Sequence, residues 1–194
     1  MKKPIFLGID PSLTGTGLVR FRDPGRVQTV STVDPKHHRG IERLCVIKEA
    51  IEDLMDAEQA SYIVAMEGYA YGTRGNHFDK GELGGVVKMM MLLAPQPVTM
   101  LIVPPTNLKM YATGNGAAKK PEVQAAIENH LQREFKDDNQ SDAAVLGCMA
   151  HTWWSGETWG PRQEEAMKKK VYPCFPPRVP KQSAHPVRRR RKKV

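Results

Sequence analysis

Three acidic residues stand next to apolar segments, where an isolated carboxylate is costly to bury. Asp10 follows the apolar residues 5–9, Glu67 follows residues 62–66, and Asp142 opens the apolar run 143–150. The first two segments have the length of buried strands, and parallel strands end at one edge of a sheet, where ligands bind. Carboxylates gathered there repel each other, and a divalent cation with oxygen ligands relieves that repulsion. The pattern therefore indicates a metal site suited to phosphate chemistry.

Each acid taken alone also has a simpler interpretation. An acid often ends a strand because the chain is reaching solvent, which applies to Asp10 and Glu67. Asp142 suits the first turn of a helix, where the helix dipole favours negative charge, and so do Asp137 and Asp138. Only the joint pattern of the acids favours a metal site over these readings.

The rest of the chain supplies elements that would position these acids. Apolar runs between turn residues predict strands over 5–9, 17–21, 26–33, 62–66 and 98–103. Apolar residues at helical spacing predict helices over 41–55, 81–93, 106–111, 121–135 and 140–154. The first three strands suggest an antiparallel meander. A helix then separates this meander from the next strand. We therefore expect an α/β fold with a mixed sheet and helices on both faces.

The positive charge of the chain is concentrated at one end. The 194 residues include 29 Lys and Arg against 21 Asp and Glu, for a formal charge of +8. Residues 178–194 hold eight of these basic residues and no acid, so the preceding residues are neutral. Six of the 15 prolines also lie after residue 158. We predict a folded domain over 1–158 and a basic, proline-rich, flexible tail over 159–194 that binds phosphates.

Several classes of protein are excluded by the sequence. The chain has no apolar run long enough for a transmembrane helix, and the apolar stretch after its first lysines is too short for a signal peptide. Cys45, Cys148 and Cys174 are too widely spaced for a disulfide framework or a CxxC zinc pair. We expect a cytoplasmic protein with no membrane partner and no small-molecule cofactor.

Five motifs together resemble a known family. They are 8–17 (GIDPSLTGTG), 66–69 (MEGY), 104–109 (PPTNLK), 114–120 (GNGAAKK) and 138–144 (DNQSDAA). In this order they resemble the RuvC Holliday junction resolvases of the RNase H-like, retroviral-integrase superfamily, over about residues 4–155. The last motif resembles the bacteriophage branch more than the bacterial one. The resemblance implies an RNase H-like fold and a homodimer that nicks four-way junctions, and other branched DNA, symmetrically.

The resemblance also assigns a role to each acid. Asp10, Glu67, Asp138 and Asp142 would be the catalytic residues, holding two Mg²⁺ or Mn²⁺ ions for hydrolysis to 5′-phosphate and 3′-hydroxyl ends. The bacterial pattern spaces its last two aspartates by three residues, but that position is Asn139 here. Asp138 is four residues before Asp142 and would share a helix face with it. We favour Asp138, with Asp137 and Asn139 as alternatives.

The DNA contacts are also expected from this resemblance. Lys109 and Lys120 align with family lysines near the scissile phosphate, although a surface lysine is usually only solvated. The loop over 68–80 carries Tyr69, Tyr71 and Arg74, and one of the tyrosines would stack on unpaired bases at the junction.

Two other functions compete with nuclease activity. Phosphotransferases of the actin and sugar-kinase type also open with a strand, an Asp and a Gly-Thr-rich turn. They need a second such half, and the sequence holds no second Asp-x-Gly-Thr motif. A nucleic-acid-binding protein without catalysis is the other alternative, and the retained carboxylates argue against it.

Overall fold

The computed structural model describes residues 3–24, 26–56, 59–68, 77–168, 171–175 and 177–179. The strands are β1 (Ile5–Asp10), β2 (Thr16–Phe21), β3 (Val27–Val33), β4 (Tyr62–Glu67), β5 (Val98–Val103) and β6 (Tyr172–Pro173). The helices are α1 (Gly40–Asp56), α2 (His77–Leu93), α3 (Pro105–Thr113), α4 (Lys120–Leu131), α5 (Asp138–Ser155) and α6 (Pro161–Lys168).

The strands form one mixed sheet in the order β3-β2-β1-β4-β5-β6. The first three strands pair antiparallel, as the predicted meander requires. β1, β4 and β5 run parallel to one another, and β6 pairs antiparallel with β5. The carboxyl ends of β1, β4 and β5 therefore meet at one edge, as predicted.

Separate apolar cores cover the two faces of the sheet. One core packs α3, α4, α5 and α6 against strand residues such as Phe6 and Ile63. The other packs α1 and α2 against residues such as Leu7 and Val64. The prediction of helices on both faces is confirmed. None of the helices in the described stretches is long and apolar enough to cross a bilayer.

Each predicted helix has at least one boundary that differs from the prediction, by one residue at each end of α1 and by one and two residues at the ends of α3. α2 begins at His77 rather than at residue 81. α4 ends at Leu131 rather than 135, because Gln132 takes a left-handed conformation with φ of 50°. α5 begins at Asp138 rather than 140, because the carboxylate of Asp137 caps it by accepting a hydrogen bond from the Gln140 amide.

The segment after residue 158 differs most from its prediction as a flexible tail. Residues 161–168 form α6, whose Ala166 is buried, and residues 172–173 pair with β5. Val179 is also buried, and its amide donates a hydrogen bond to the Thr99 hydroxyl of β5. Proline and charge content predict flexibility, but these side chains find apolar partners on the domain. The remaining basic run at 188–193 lies outside the described residues.

Candidate active site

Asp10 and Glu67 lie side by side at the ends of two parallel strands. Ile9 of β1 is in register with Met66 of β4, so the next residue on each strand is an acid. Side chains alternate between the faces of a sheet. Asp10 therefore shares the face of Phe6, and Glu67 shares that of Ile63, which is the face covered by α5.

The turn that follows Asp10 is held by its own side chains. The Thr16 hydroxyl donates a hydrogen bond of 2.7 Å to the Ser12 carbonyl, and the Ser12 amide donates to the Thr16 hydroxyl at 3.2 Å. These bonds close the turn between β1 and β2. The carboxylate of Asp10 is thereby held at the rim of the sheet with 8% of the residue exposed.

Two glycines allow α5 to approach the sheet closely enough to bring its acids to this edge. A Cβ atom on Gly8 would lie 1.8 Å from the Ala143 carbonyl oxygen. A Cβ atom on Gly17 would lie 1.9 Å from the Asn139 carbonyl oxygen. No other residue fits at these distances, so the glycines set how closely α5 packs on β1 and β2. Asp142 is thereby carried next to Asp10.

Three acids of the site lie close together, with Asp10 buried and with Glu67 and Asp142 half-buried. Burial raises the pKa of Asp10 to about 8, and repulsion from Glu67 adds to the rise. Burial likewise raises the pKa of Glu67 to about 7, with repulsion from Asp142 as the next cause. The pKa of Asp142 rises to about 7 through burial and repulsion from Asp10. A hydrogen bond between the carboxyl groups of Asp10 and Glu67 adds to the rise in the pKa of Asp10.

Asp138 lies at the margin of this group. Its side chain is 33% exposed and pairs with the ammonium of Lys120, which lowers its pKa. Its charge still helps to raise the pKa values of Asp10 and Asp142, which places it within electrostatic reach of both. Lys120 and Lys109 lower the pKa values of Glu67 and Asp142, so both lysines lie within electrostatic reach of these acids. The structure therefore brings together Asp10, Glu67, Asp138, Asp142, Lys109 and Lys120.

The two alternatives to Asp138 have other contacts. The carboxylate of Asp137 accepts hydrogen bonds from the Gln140 amide at 2.9 Å and from the Thr32 hydroxyl at 2.7 Å. The side chain of Asn139 packs over Gly15, where its nitrogen would lie 3.0 Å from an added Cβ atom. Asp137 therefore caps α5, and Asn139 packs against the turn between β1 and β2.

Some predicted site residues lie outside the described part of the chain, and some contacts of the site were not predicted from the sequence. Tyr69, Tyr71 and Arg74 lie outside the described residues. Gly8 and Gly17 belong to the first sequence motif, and their role in the approach of α5 was not predicted, although glycine within an apolar strand is a known sign of close backbone approach. No sequence signal pointed to the pairing of Lys120 with Asp138, because it joins two helices.

The donors present suit a divalent cation. In the stretches that the structure describes, no three His, Cys, Asp or Glu side chains are already arranged to hold a metal ion. The acids gathered here are Asp10, Glu67, Asp138 and Asp142. Their oxygens are the ligands that Mg²⁺ and Mn²⁺ prefer, and buried carboxylates of raised pKa are groups that such a cation would stabilise. The residues therefore fit the predicted metal.

Comparison with known proteins identifies the family. A model of the family described as "Crossover junction endodeoxyribonuclease RuvC" matches residues 6–151. Proteins of that description from Mycobacterium avium (strain 104) and Mycobacterium leprae (strain TN) are 28% and 25% identical to the chain. The first alignment covers 76% of the chain and 80% of its relative, and the second covers 85% and 94%.

Solved structures share the fold. The Thermus thermophilus RuvC structure has a TM-score of 0.62 at 20% identity, covering 87% of this chain and 99% of that one. T. thermophilus RuvC in complex with a Holliday junction substrate has a TM-score of 0.63 at 19% identity, with coverages of 88% and 99%. The structure and the family match lead to the same identification. The acids lie at the ends of adjacent parallel strands, and the match extends over residues 6–151. This chain belongs to the RuvC family of crossover junction endodeoxyribonucleases.

Proposed function

We propose that this protein is a metal-dependent, structure-selective DNA endonuclease that resolves Holliday junctions and acts on other branched DNA. Each active site hydrolyses one phosphodiester, leaving a 5′-phosphate and a 3′-hydroxyl. Two copies of the chain nick symmetrically related strands. The DNA is that of a bacterial cell or of an infecting bacteriophage, in the cytoplasm.

One observation carries this proposal. Asp10, Glu67 and Asp142 come from three elements that are distant in sequence, yet they lie together, buried or half-buried, beside Lys109 and Lys120. Gathering three acids in this way destabilises the fold unless something neutralises them. Acids beside lysines at the carboxyl edge of a sheet suit a phosphodiester held by metal and lysine together.

The acids and the lysines of the site have different roles, because the acids would hold the metal ions and the lysines contact the phosphate. Asp10, Glu67 and Asp142, with Asp138 at the margin, would hold two Mg²⁺ or Mn²⁺ ions. Such ions supply an activated water and stabilise the leaving oxygen in phosphodiester hydrolysis. Lys109 and Lys120 provide positive charge to the phosphate oxygens, and the burial of Asp10 excludes bulk water from one side of the site.

A second copy of the chain has an apolar face on which to pack. Ile41 of α1 is 72% exposed, and Met89 and Leu93 of α2 are 55% and 70% exposed. They border a groove of about 1000 Å³ between α1 and α2. Exposed apolar patches of this kind mark interaction sites. We propose that this face, on the opposite side of the sheet from α5, is the homodimer interface.

Cleavage of a labelled four-way junction in the presence of Mg²⁺ tests the function. The parent should cut, and Asp10→Asn, Glu67→Gln and Asp142→Asn should each lose at least about a hundredfold in single-turnover rate. Asp53→Asn changes an exposed acid on α1 and is the matched control. Equal cutting by the site variants and this control would contradict the proposal.

Binding by the same proteins separates catalysis from simple recognition. The three site variants should bind the junction as tightly as the parent or more tightly, because they repel phosphate less. Asp137→Asn keeps the helix cap and should leave cutting unchanged, whereas Asp138→Asn should slow it. A parent that binds junctions but never cuts them would favour the non-catalytic alternative.

A further inference from the structure

Residues 159–168, which we term the C-terminal strap, contact both lysine-bearing helices of the site. The strap begins at Trp159 and continues through α6. It lies beyond residues 6–151, which match the family model. Its contacts are made to α3, which carries Lys109, and to α4, which begins at Lys120.

The first group of contacts completes the end of α3. The last carbonyl groups of a helix have no partner within it. Here the Lys109 carbonyl accepts from the Thr113 hydroxyl at 2.9 Å, and the Met110 carbonyl accepts from the Gly114 amide at 2.8 Å. The next carbonyl, that of Tyr111, accepts from the side-chain amide of Gln163 at 2.8 Å. A strap residue therefore satisfies the helix end that follows Lys109 by two residues.

A second contact ties the beginning of α3 to the same strap. The Asn107 side-chain amide donates a hydrogen bond of 2.7 Å to the Ala166 carbonyl. Asn107 and Tyr111 are one turn apart and flank Lys109 in sequence. α6 thus holds α3 on both sides of Lys109.

Trp159 links α3 to α4 and to α5. Its ring packs edge-on against Tyr111, with the ring centres 4.8 Å apart, and stacks on His130 near the end of α4. The Tyr111 hydroxyl in turn hydrogen-bonds the Thr152 hydroxyl of α5 at 2.8 Å. Through these rings, the helix of Lys109, the helix of Lys120 and the helix of Asp142 are joined.

We propose that the C-terminal strap positions Lys109 and Lys120 against the acidic cluster formed by Asp10, Glu67 and Asp142. Gln163 and Trp159 are the positioning residues. The strap itself does not touch the reacting atoms. This inference rests on the proposed function, in which the two lysines contact the scissile phosphate. Small displacements of such groups have large effects on rate, because catalysis depends on their orientation.

A double-mutant cycle tests the strap. Gln163→Met keeps the side-chain length and removes the donor to Tyr111, and it should slow single-turnover junction cutting by about tenfold at saturating protein. Lys109→Met should cost less in the Gln163→Met background than in the parent, because the lysine is already misplaced. Glu164→Gln, on the exposed side of the same helix, is the control and should be additive with Lys109→Met.

A second readout does not depend on cutting. Acetylation of lysines, followed by mass spectrometry, reports the surroundings of Lys109 and Lys120, with Lys36 as the internal reference. Gln163→Met and Trp159→Phe should each change the labelling of Lys109 and Lys120 relative to Lys36, while Glu164→Gln should not. Trp159→Phe serves if Gln163→Met does not fold.

The outcomes separate the two claims. Unchanged lysine labelling, or full additivity of Gln163→Met with Lys109→Met, would overturn the positioning role even if the thermal stability falls. Failure of Lys109→Met and Lys120→Met to slow cutting would instead contradict the role of the lysines in the proposed function, and lysine labelling would still decide whether the strap positions them.

Discussion

At the scale of residues, the acidic cluster holds carboxyl groups where their charge is unfavourable. Asp10, Glu67 and Asp142 all have raised pKa values because they lie close together and are partly or wholly removed from water. An unfolded chain has no such burial, so its carboxyl groups titrate near pH 4. Between that pH and about 8, the folded, metal-free protein binds more protons than the unfolded chain.

This difference predicts how stability depends on pH. The contribution of Asp142 is fully present below about pH 4 and is lost as the pH rises through about 7, the raised pKa. In EDTA, the parent should therefore lose stability relative to Asp142→Asn, by roughly 1 kcal/mol per pH unit between pH 5 and 7. Urea unfolding of both proteins across this range measures the difference. A parent-to-variant difference that is constant with pH would contradict the raised pKa.

At the scale of elements, the close contact of α5 with the sheet links stability to the site. Gly8 and Gly17 leave room for the helix backbone alone. Because Asp142 lies one residue before Ala143, whose carbonyl rests on Gly8, a shift of the helix moves the acid as well. The same contact therefore holds the core together and sets the spacing of the carboxylates.

Substitution of these glycines should show both effects. Gly8→Ala should destabilise the fold by about 3 kcal/mol, because it forces α5 away from β1. Gly81→Ala, in the exposed first turns of α2 where nothing lies within 4 Å of an added Cβ atom, should instead stabilise it by about 0.5–1 kcal/mol. Thermal unfolding measures the stability. The increase in melting temperature on addition of Mn²⁺ reports whether the carboxylates are still spaced to bind a metal ion. Full Mn²⁺ stabilisation of folded Gly8→Ala would show that the spacing does not depend on this contact.

Different parts of this architecture were accessible to sequence reasoning to different degrees. Asp10 and Glu67 could be found because an apolar run followed by an acid is a local signal. The choice among Asp137, Asp138 and Asn139 could not be made from the sequence, because it depends on which residue caps α5. The strap was mistaken for a flexible tail because Ala166 and Trp159 are stabilised by contacts with distant elements, which composition does not record.

At the scale of the whole molecule, the sheet separates the face that carries the candidate active site from the face proposed as the dimer interface. The face of α5 carries the acids and the lysines, whereas the face of α1 and α2 carries exposed apolar residues. A dimer built on the second face would leave both active sites free for DNA. The proposed assembly therefore depends on residues that have no part in the chemistry.

A charge placed in the apolar groove tests this assembly. Met89→Lys should convert the dimer to a monomer in light scattering, because a buried ammonium without a partner is unfavourable. Ala125→Lys adds the same single positive charge at an exposed residue of α4 and should leave the dimer intact. A dimeric Met89→Lys protein would move the interface to another surface.

The basic residues after 179 give a prediction of their own. Truncation after Val179 keeps the buried end of the domain and removes seven positive charges. Junction affinity should fall, and its dependence on salt concentration should become shallower, because fewer counterions are released. Single-turnover cutting at saturating protein should stay near the parent rate. Loss of cutting there would show that these residues also act on the chemistry.

The contact between Gly8 and α5 has a further consequence during protein synthesis. β1 leaves the ribosome well before α5, the helix that covers one of its faces and is complete only at Ser155. Long-range contacts of this kind form late in folding. The carboxylates therefore come together only when nearly the whole domain has been made. A nascent chain would hold no assembled nuclease, and the cell would be exposed to the activity only once translation of the domain has finished.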